Sequence, residues 1–156
     1  MDKITICKNP NASILSAPLE ITPEELKQAV QVHRADVATV MDELGNELSR
    51  MGENHDWTKQ VFADEYFRDF YDNPKDMEGF KASEWYQQHI TAERHHLLDH
   101  FPEDVNLLDV IEMLVDHVCN KKMRGIKNMR IAIPAYILEK AMHNTVKLID
   151  KNTVVE

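Results

Sequence analysis

The sequence predicts an all-α protein: a single compact domain of about five principal helices. Two observations carry that expectation. Among 156 residues there are only four glycines and six prolines, too few punctuators for a many-turned β architecture. Apolar residues also recur at three- and four-residue spacing through most of the chain, the period of a helix with one buried face. With 43% hydrophobic and 29% charged residues, the chain has the composition of an ordinary globular domain, long enough to bury a core.

Charge narrows the partners. A formal net charge of -9 argues against a nucleic-acid duplex, whose phosphates need a basic surface. It leaves a small phosphate substrate open, because a bound divalent metal would invert the local charge. Cys7 and Cys119 form no spaced framework, which fits a reducing, cytoplasmic setting. No apolar run approaches the roughly 18 residues needed to span a membrane. The opening Met1 to Ile6 lacks the apolar core of a signal peptide. Whether the chain forms a homo-oligomer is not legible.

Taken in order, residues 1–21 read as a leader, with Asn9-Pro10 and Ala17-Pro18 as breakers and Lys3 to Cys7 alternating like a short edge strand. Residues 22–151 read as the helical domain and 152–156 as a tail. The first helix starts at Thr22-Pro23-Glu24-Glu25: Thr22 as N-cap, Pro23 in the first turn, Glu25 completing a capping box. Leu26, Val30, His33, Val37, Val40, Met41, Leu44, Leu48 and Met51 then fall on one face, and the helix should end near Gly52.

Next comes Asn54-His55-Asp56-Trp57-Thr58-Lys59. At a turn opening a helix, the adjacent imidazole and carboxylate of His55-Asp56 can converge on one cation. His33, inside the apolar stripe of the preceding helix, is ordinarily a core histidine. With the doublet following it, an inward-facing ligand is an equal expectation.

Val61, Phe62, Tyr66, Phe67, Phe70 and Tyr71 make an aromatic stripe expected to be core. Asp72-Asn73-Pro74 breaks that helix, and Lys75 to Gly79 reads as a polar loop. Phe80 to about His100 then has no proline or glycine and is expected to be one helix holding Trp85, His89, His95, His96 and His100. If residues 85–97 are continuously helical, His89 and His96 face the same way and His95 does not. Such a histidine cluster suits a transition metal better than a solvated face.

Phe101-Pro102 marks a break, and Leu107, Leu108, Ile111, Leu114, Val115 and Val118 form another stripe towards Gly125. Asp116 lies off the centre of that stripe, and helical phase alone reads it as a polar edge. Lys121, Lys122, Arg124, Lys127 and Arg130 form a basic run in an acidic chain, either a solvated face or a collector of substrate phosphate. Residues 126–133 are ambiguous between loop and strand. Pro134 opens the last helix, with Ile137, Leu138, Ala141, Met142, Val146 and Ile149 as its expected buried face.

The order His33, His55-Asp56, His89, His95-His96, Asp116 resembles the HD-domain superfamily of metal-dependent phosphohydrolases, whose minimal pattern is His, His-Asp, Asp on successive helices. It is similar, more closely, to a family of small uncharacterised HD-like proteins of phages and bacteria. There the doublet is followed by a lysine, as in His55-Asp56-Trp57-Thr58-Lys59. A tryptophan precedes spaced histidines, like Trp85, His89 and His95-His96, and Glu112-Met113-Leu114-Val115-Asp116 matches a further motif. The resemblance covers about residues 30–120. Leu97 and Leu98 stand where that pattern has an acidic residue, and Ala92-Glu93-Arg94 replaces its asparagine-proline break. Both departures leave the second metal position, and the roles of His95 and His96, open.

The resemblance implies Asp116 as a ligand and an HD-type metal-dependent phosphohydrolase acting on a nucleotide or related small phosphoester. Its ligands would be His33, His55, Asp56 and Asp116, with Asp56 bridging to a second ion if His89 and His96 bind one. Imidazoles and carboxylates suit one or two ions of Mn, Fe, Co, Ni or Zn. Glu93 or Glu112 would protonate the leaving oxygen. Lys59 is the first candidate for a substrate phosphate, ahead of Lys121, Lys122 and Arg124. Two alternatives stay open: a di-iron oxygenase on the same scaffold, and a protein that binds metal or nucleotide without turnover.

Overall fold

A computed structural model of the protein describes residues 1–12, 20–72 and 76–156. The expected breakers Ala17-Pro18 and Asn73-Pro74, with Lys75, lie outside the described residues. The fold is all-α. Its described elements are β1 (Ile4–Ile6), α1 (Pro23–Asn54), α2 (Trp57–Val61), α3 (Ala63–Asp72), α4 (Met77–Ala82), α5 (Glu84–Ala92), α6 (Leu107–Met123), α7 (Ala135–Asn152) and β2 (Thr153–Val155). They divide into two compact units, one of Met1–Arg50 with Val146–Glu156 and one of Met51–Thr145.

In the first unit the expected strand forms, and its partner comes from the chain's other end. β1 pairs in parallel with β2, Ile4 opposite Thr153 and Ile6 opposite Val155. The capping box at the start of α1 is present. Glu25 N–H donates to Thr22 Oγ1 at 3.3 Å, and Thr22 N–H donates to Glu25 Oε2 at 2.9 Å. None of the expected α1 stripe is buried, and Leu26, Val30, Val37 and Met41 are exposed; Ala29, outside that stripe, is the one buried residue described on α1, so the described core lies elsewhere.

That core is in the second unit. Leu97, Val105, Val110, Met113, Ile137 and Ala141 form one cluster, built from α6, the start of α7 and the irregular segment before α6. A smaller cluster joins Phe80, Trp85, Tyr86 and Ile90, with Tyr66 packed against it. α6 is fixed at both ends. Asn106 accepts from Leu108 N–H at 2.8 Å while Asp109 accepts from Asn106 N–H at 2.8 Å. At the other end Gly125, at φ 69°, lets its own N–H reach Lys122 O at 3.0 Å and that of Ile126 reach Lys121 O at 2.9 Å, a Schellman closure.

Four expectations need correction. The segment Phe80 to His100 is not one helix: Ser83 is extended and caps α5 by accepting from Tyr86 N–H, and the chain leaves the helix at Glu93. Helix also begins earlier, at Met77, where a loop was expected, because Asp76 caps α4 by accepting from Glu78 and Gly79 N–H. The aromatic stripe of residues 61–71 is mostly surface. α3 has no buried residue, and only its Tyr66 joins the second cluster, 4.4 Å between ring centroids from Trp85. On α7, Met142 and Val146 are exposed, and Thr145 is buried in their place, accepting from Leu107 N–H at 2.8 Å and donating to Ala141 O at 2.7 Å.

Candidate metal centre

The doublet sits at the turn between α1 and α2. Asp56 has φ 57° and ψ 28°, the one non-glycine residue with positive φ among the described residues. That left-handed conformation is disfavoured for L-residues and tolerated best by Asp and Asn. It turns the chain sharply, so that His55 and Asp56, which would diverge on a helix, both face the same space. Lys59 closes the turn, its Nζ donating to Asp56 Oδ2 at 2.5 Å.

Four imidazoles meet this carboxylate. His89 Nε2 and His95 Nε2 each lie 3.6 Å from Asp56 Oδ1, and His55 Nε2 lies 3.5 Å from Oδ2. His96 Nε2 faces His89 Nε2 at 2.7 Å. His55, Asp56 and His95 form one trio whose ligand-type atoms lie within 4.8 Å of one another, and Asp56, His89 and His96 form a second. Asp56 is common to both.

The rings are held from behind. Glu112 Oε1 lies 3.0 Å from His55 Nδ1 and 3.3 Å from His95 Nδ1, so one carboxylate of α6 backs two rings and turns both Nε2 atoms inward. Thr58 performs the same service for His89. Glu93 Oε1 accepts from Thr58 N–H at 2.9 Å and from its hydroxyl at 2.8 Å. With that proton committed, Thr58 Oγ1 is left to accept from His89 Nδ1–H at 2.6 Å, which leaves Nε2 unprotonated, an acceptor facing His96 Nε2. Thr58, His89 and Glu93 are all buried. Such backing of metal-binding imidazoles is a recurrent requirement.

The electrostatics separate the rings. Hydrogen bonds that His55 donates to Asp116 and Glu112 raise it to about 10. Burial pushes His89 down to about 3 and His96 to about 4, each further depressed by a neighbouring imidazole, so both are neutral at physiological pH. Burial would raise Glu112, but its hydrogen bond to His55 and the His95 imidazole beside it prevail and hold it at about 2. Asp116 is lowered chiefly by His55, whose Nε2 is 3.3 Å from Asp116 Oδ1.

The residues fit a metal. Asp56 Oδ1 is buried and has no hydrogen-bond partner, although two imidazole nitrogens flank it. A buried carboxylate oxygen left unpaired is costly, and a cation there would satisfy it and the inward Nε2 atoms together. The donor set of imidazoles and carboxylates is that of first-row transition metals.

A family model matches residues 22–154, described as "Family of unknown function (DUF5662)". The chain belongs to that family. A search of curated proteins returns no match, and a search of solved structures returns none.

Most of the residues expected to bind metal in this DUF5662 chain converge: His55, Asp56, His89, His95 and His96 in the two trios, with Asp116 against His55. His95 does so against the expectation from helical phase. Because α5 ends at Ala92, turns over residues 93–99 let two adjacent rings approach one carboxylate. His33 belongs to the other unit, where it is exposed and lines a groove with Ile6, Cys7, Asp36 and Val37; neither trio includes it. Glu93 and Glu112, expected as proton donors, are committed instead to Thr58 and to the His55 and His95 rings. Lys121 donates to the carbonyls of Asn128 and Arg130 at 2.8 and 3.2 Å, and Lys122 is exposed on α6.

Sequence reasoning missed Thr58 and the pair Arg94–Asp109. Arg94 Nε and Nη2 donate to the two oxygens of Asp109 at 2.7 and 2.8 Å, pinning the turn that carries His95 and His96 onto α6. The fork-to-fork geometry gives this pair direction as well as charge. Nothing in periodicity or motif spacing marks either one.

Proposed function

We propose that the chain is a metal-dependent phosphohydrolase of HD type, acting on a nucleotide or related small phosphoester. The observation that carries the reading is Asp56 Oδ1: buried, unpartnered, and flanked by imidazole Nε2 atoms from two trios. One or two divalent ions of Mn, Fe, Co, Ni or Zn, held by His55, Asp56, His95 and by Asp56, His89, His96, would supply a water nucleophile at neutral pH and polarise a phosphoryl oxygen.

The chain's own groups do the rest. Glu112 keeps its bond to His55 Nδ1 while the Nε2 proton is given up, so the ring that binds keeps its orientation. Lys59, half-buried beside Asp56, brings a positive charge to the edge of the site, where it can take up a substrate phosphate. Two exposed, unbridged cysteines suit a reducing cytoplasm, and no helix among the described residues is long and apolar enough to cross a membrane.

Elemental analysis of purified wild type against Asp56→Asn, with phosphate release from a panel of nucleotides, tests this. Metal lost in the variant together with phosphate release by wild type supports it. A metal-loaded protein inert across mono-, tri- and cyclic nucleotides removes it. Two adjoining trios that share one carboxylate also favour a second reading, a di-iron oxygenase, which oxygen consumption with ferrous iron would reveal.

A further inference from the structure

Beside the metal centre, a cavity of about 300 Å³ opens along α6, at the lower end of the range for small-molecule sites. His95, His96 and Asp116 form its inner end, and Leu97, Met113 and Ile131 give it an apolar wall. His117, Asn120, Lys121 and Arg124 complete one side. These last residues continue the face of α6 that carries Asp116, because positions three, four, seven and eight apart share one side of a helix.

The charges in this cavity are unevenly satisfied. Its acids are spoken for: Asp99 accepts from Lys81 Nζ at 2.6 Å and Tyr86 hydroxyl at 3.2 Å, and Asp116 accepts from Asn120 Nδ2 at 2.6 Å. Its cations are not. Lys121 meets only backbone carbonyls, and the exposed Arg124 has no ion pair with any carboxylate among the described residues. His117 Nε2 is buried without a hydrogen-bond partner. The helix C-terminus accounts for cations in the last turn of α6. What it leaves open is what Arg124, the exposed C-cap of α6 that also lines the cavity, pairs with.

We propose that this cavity is a second, anion-reading subsite. It takes the organic part of a phosphomonoester that carries its own carboxylate or second phosphate. The scissile phosphoryl lies at the metal centre, the body packs against Leu97, Met113 and Ile131, and Arg124 holds the distal anion. From Asp116 to Arg124 is roughly 12 Å along the helix at 1.5 Å per residue, which suits a compact substrate with an anion at each end. The inference rests on the phosphohydrolase reading for the inner end and adds the substrate's second charge.

The test is calorimetric binding to the Mn²⁺-loaded protein of three hydrolysis-resistant probes: phenylphosphonate, 4-carboxyphenylphosphonate and 1,4-phenylenebisphosphonate. In wild type a para anion tightens binding about tenfold, as expected for a charge-assisted pair. That ratio collapses towards one in Arg124→Gln, is kept in Arg124→Lys, and is kept in Lys122→Gln, a cation of the same helix end outside the cavity. Gain with only one of the two para groups supports the subsite and tells carboxylate from phosphate. No gain in wild type, or an equal loss in Lys122→Gln, overturns it while leaving the metal-centre reading intact. If phenylphosphonate itself does not bind the loaded protein, both readings fall.

Discussion

Thr58 Oγ1 lies 2.6 Å from His89 Nδ1, and the hydroxyl proton is directed to Glu93. A single threonine thereby selects the tautomer in which His89 Nε2 is unprotonated, 2.7 Å from His96 Nε2 and 3.6 Å from Asp56 Oδ1. Thr58→Val keeps the packing and removes the acceptor. The expected outcome is a 10- to 100-fold loss of affinity at the His89–His96 trio, the usual scale for removing such support. Thr58→Ser should retain it. Equal metal titrations for the valine and serine variants would contradict the assignment.

Asp56 belongs to both trios, so its charge should matter more than that of any other ligand. Asp56→Asn is the informative change, because asparagine also tolerates φ 57° and the turn survives. We expect a folded protein, unchanged in circular dichroism, that no longer retains metal through dialysis. Full retention would remove Asp56 as the shared ligand.

Arg94 anchors the histidine turn to α6, and Asp109 is 1% exposed. Arg94→Ala would leave that carboxylate buried without its counter-ion, a change that costs about 3 kcal/mol or more. Urea unfolding should show the loss, with weaker metal binding in the same variant because His95 and His96 are no longer fixed. A stability change below about 0.5 kcal/mol, the scale of an ordinary surface substitution, would show that the pair does not hold the turn.

The chelator-treated protein should be most stable near neutral pH. His55 is raised from 6.5 to about 10, so its contribution is fully present below 6.5 and is lost as pH rises towards 10. His89 and His96 are lowered from 6.5 to about 3 and about 4, so their contribution is present above 6.5 and is lost as pH falls towards those values. Urea midpoints against pH should therefore fall on both sides, and His55→Gln should flatten the alkaline limb, while also removing from the acid limb the share of Glu112 and Asp116 that depends on His55. An alkaline limb unchanged in that variant would exclude His55 as its source.

Gly125 provides a simpler check on the fold. Its φ of 69° closes α6, and an added Cβ meets no atom within 4 Å, so any penalty is conformational rather than steric. Gly125→Ala should cost about 1 kcal/mol in urea unfolding.

Much of this molecule is written locally. The capping box of Thr22 and Glu25, the stop at Gly125 and the start after Pro134 depend on residues within one turn of each other, and each forms as read. Burial was harder to read. Phe67, Phe70, Val146 and Met142 have helical spacing and are nevertheless exposed, because periodicity defines a face without saying what covers it.

The same division runs through the metal centre. The doublet, the histidine cluster and Asp116 were visible as residue types in a telling order, and the chemistry of imidazole and carboxylate named the kind of ion they would hold. Which nitrogen of each ring turns inward was not visible. Nor was the approach of His95 beside His96, since a continuous helix would have kept them apart. Those features depend on Glu93 reaching Thr58, Glu112 reaching two rings, and Arg94 reaching Asp109. Each of these contacts joins residues at least 15 positions apart. A local period carries no information about such contacts, and only the packed chain decides them.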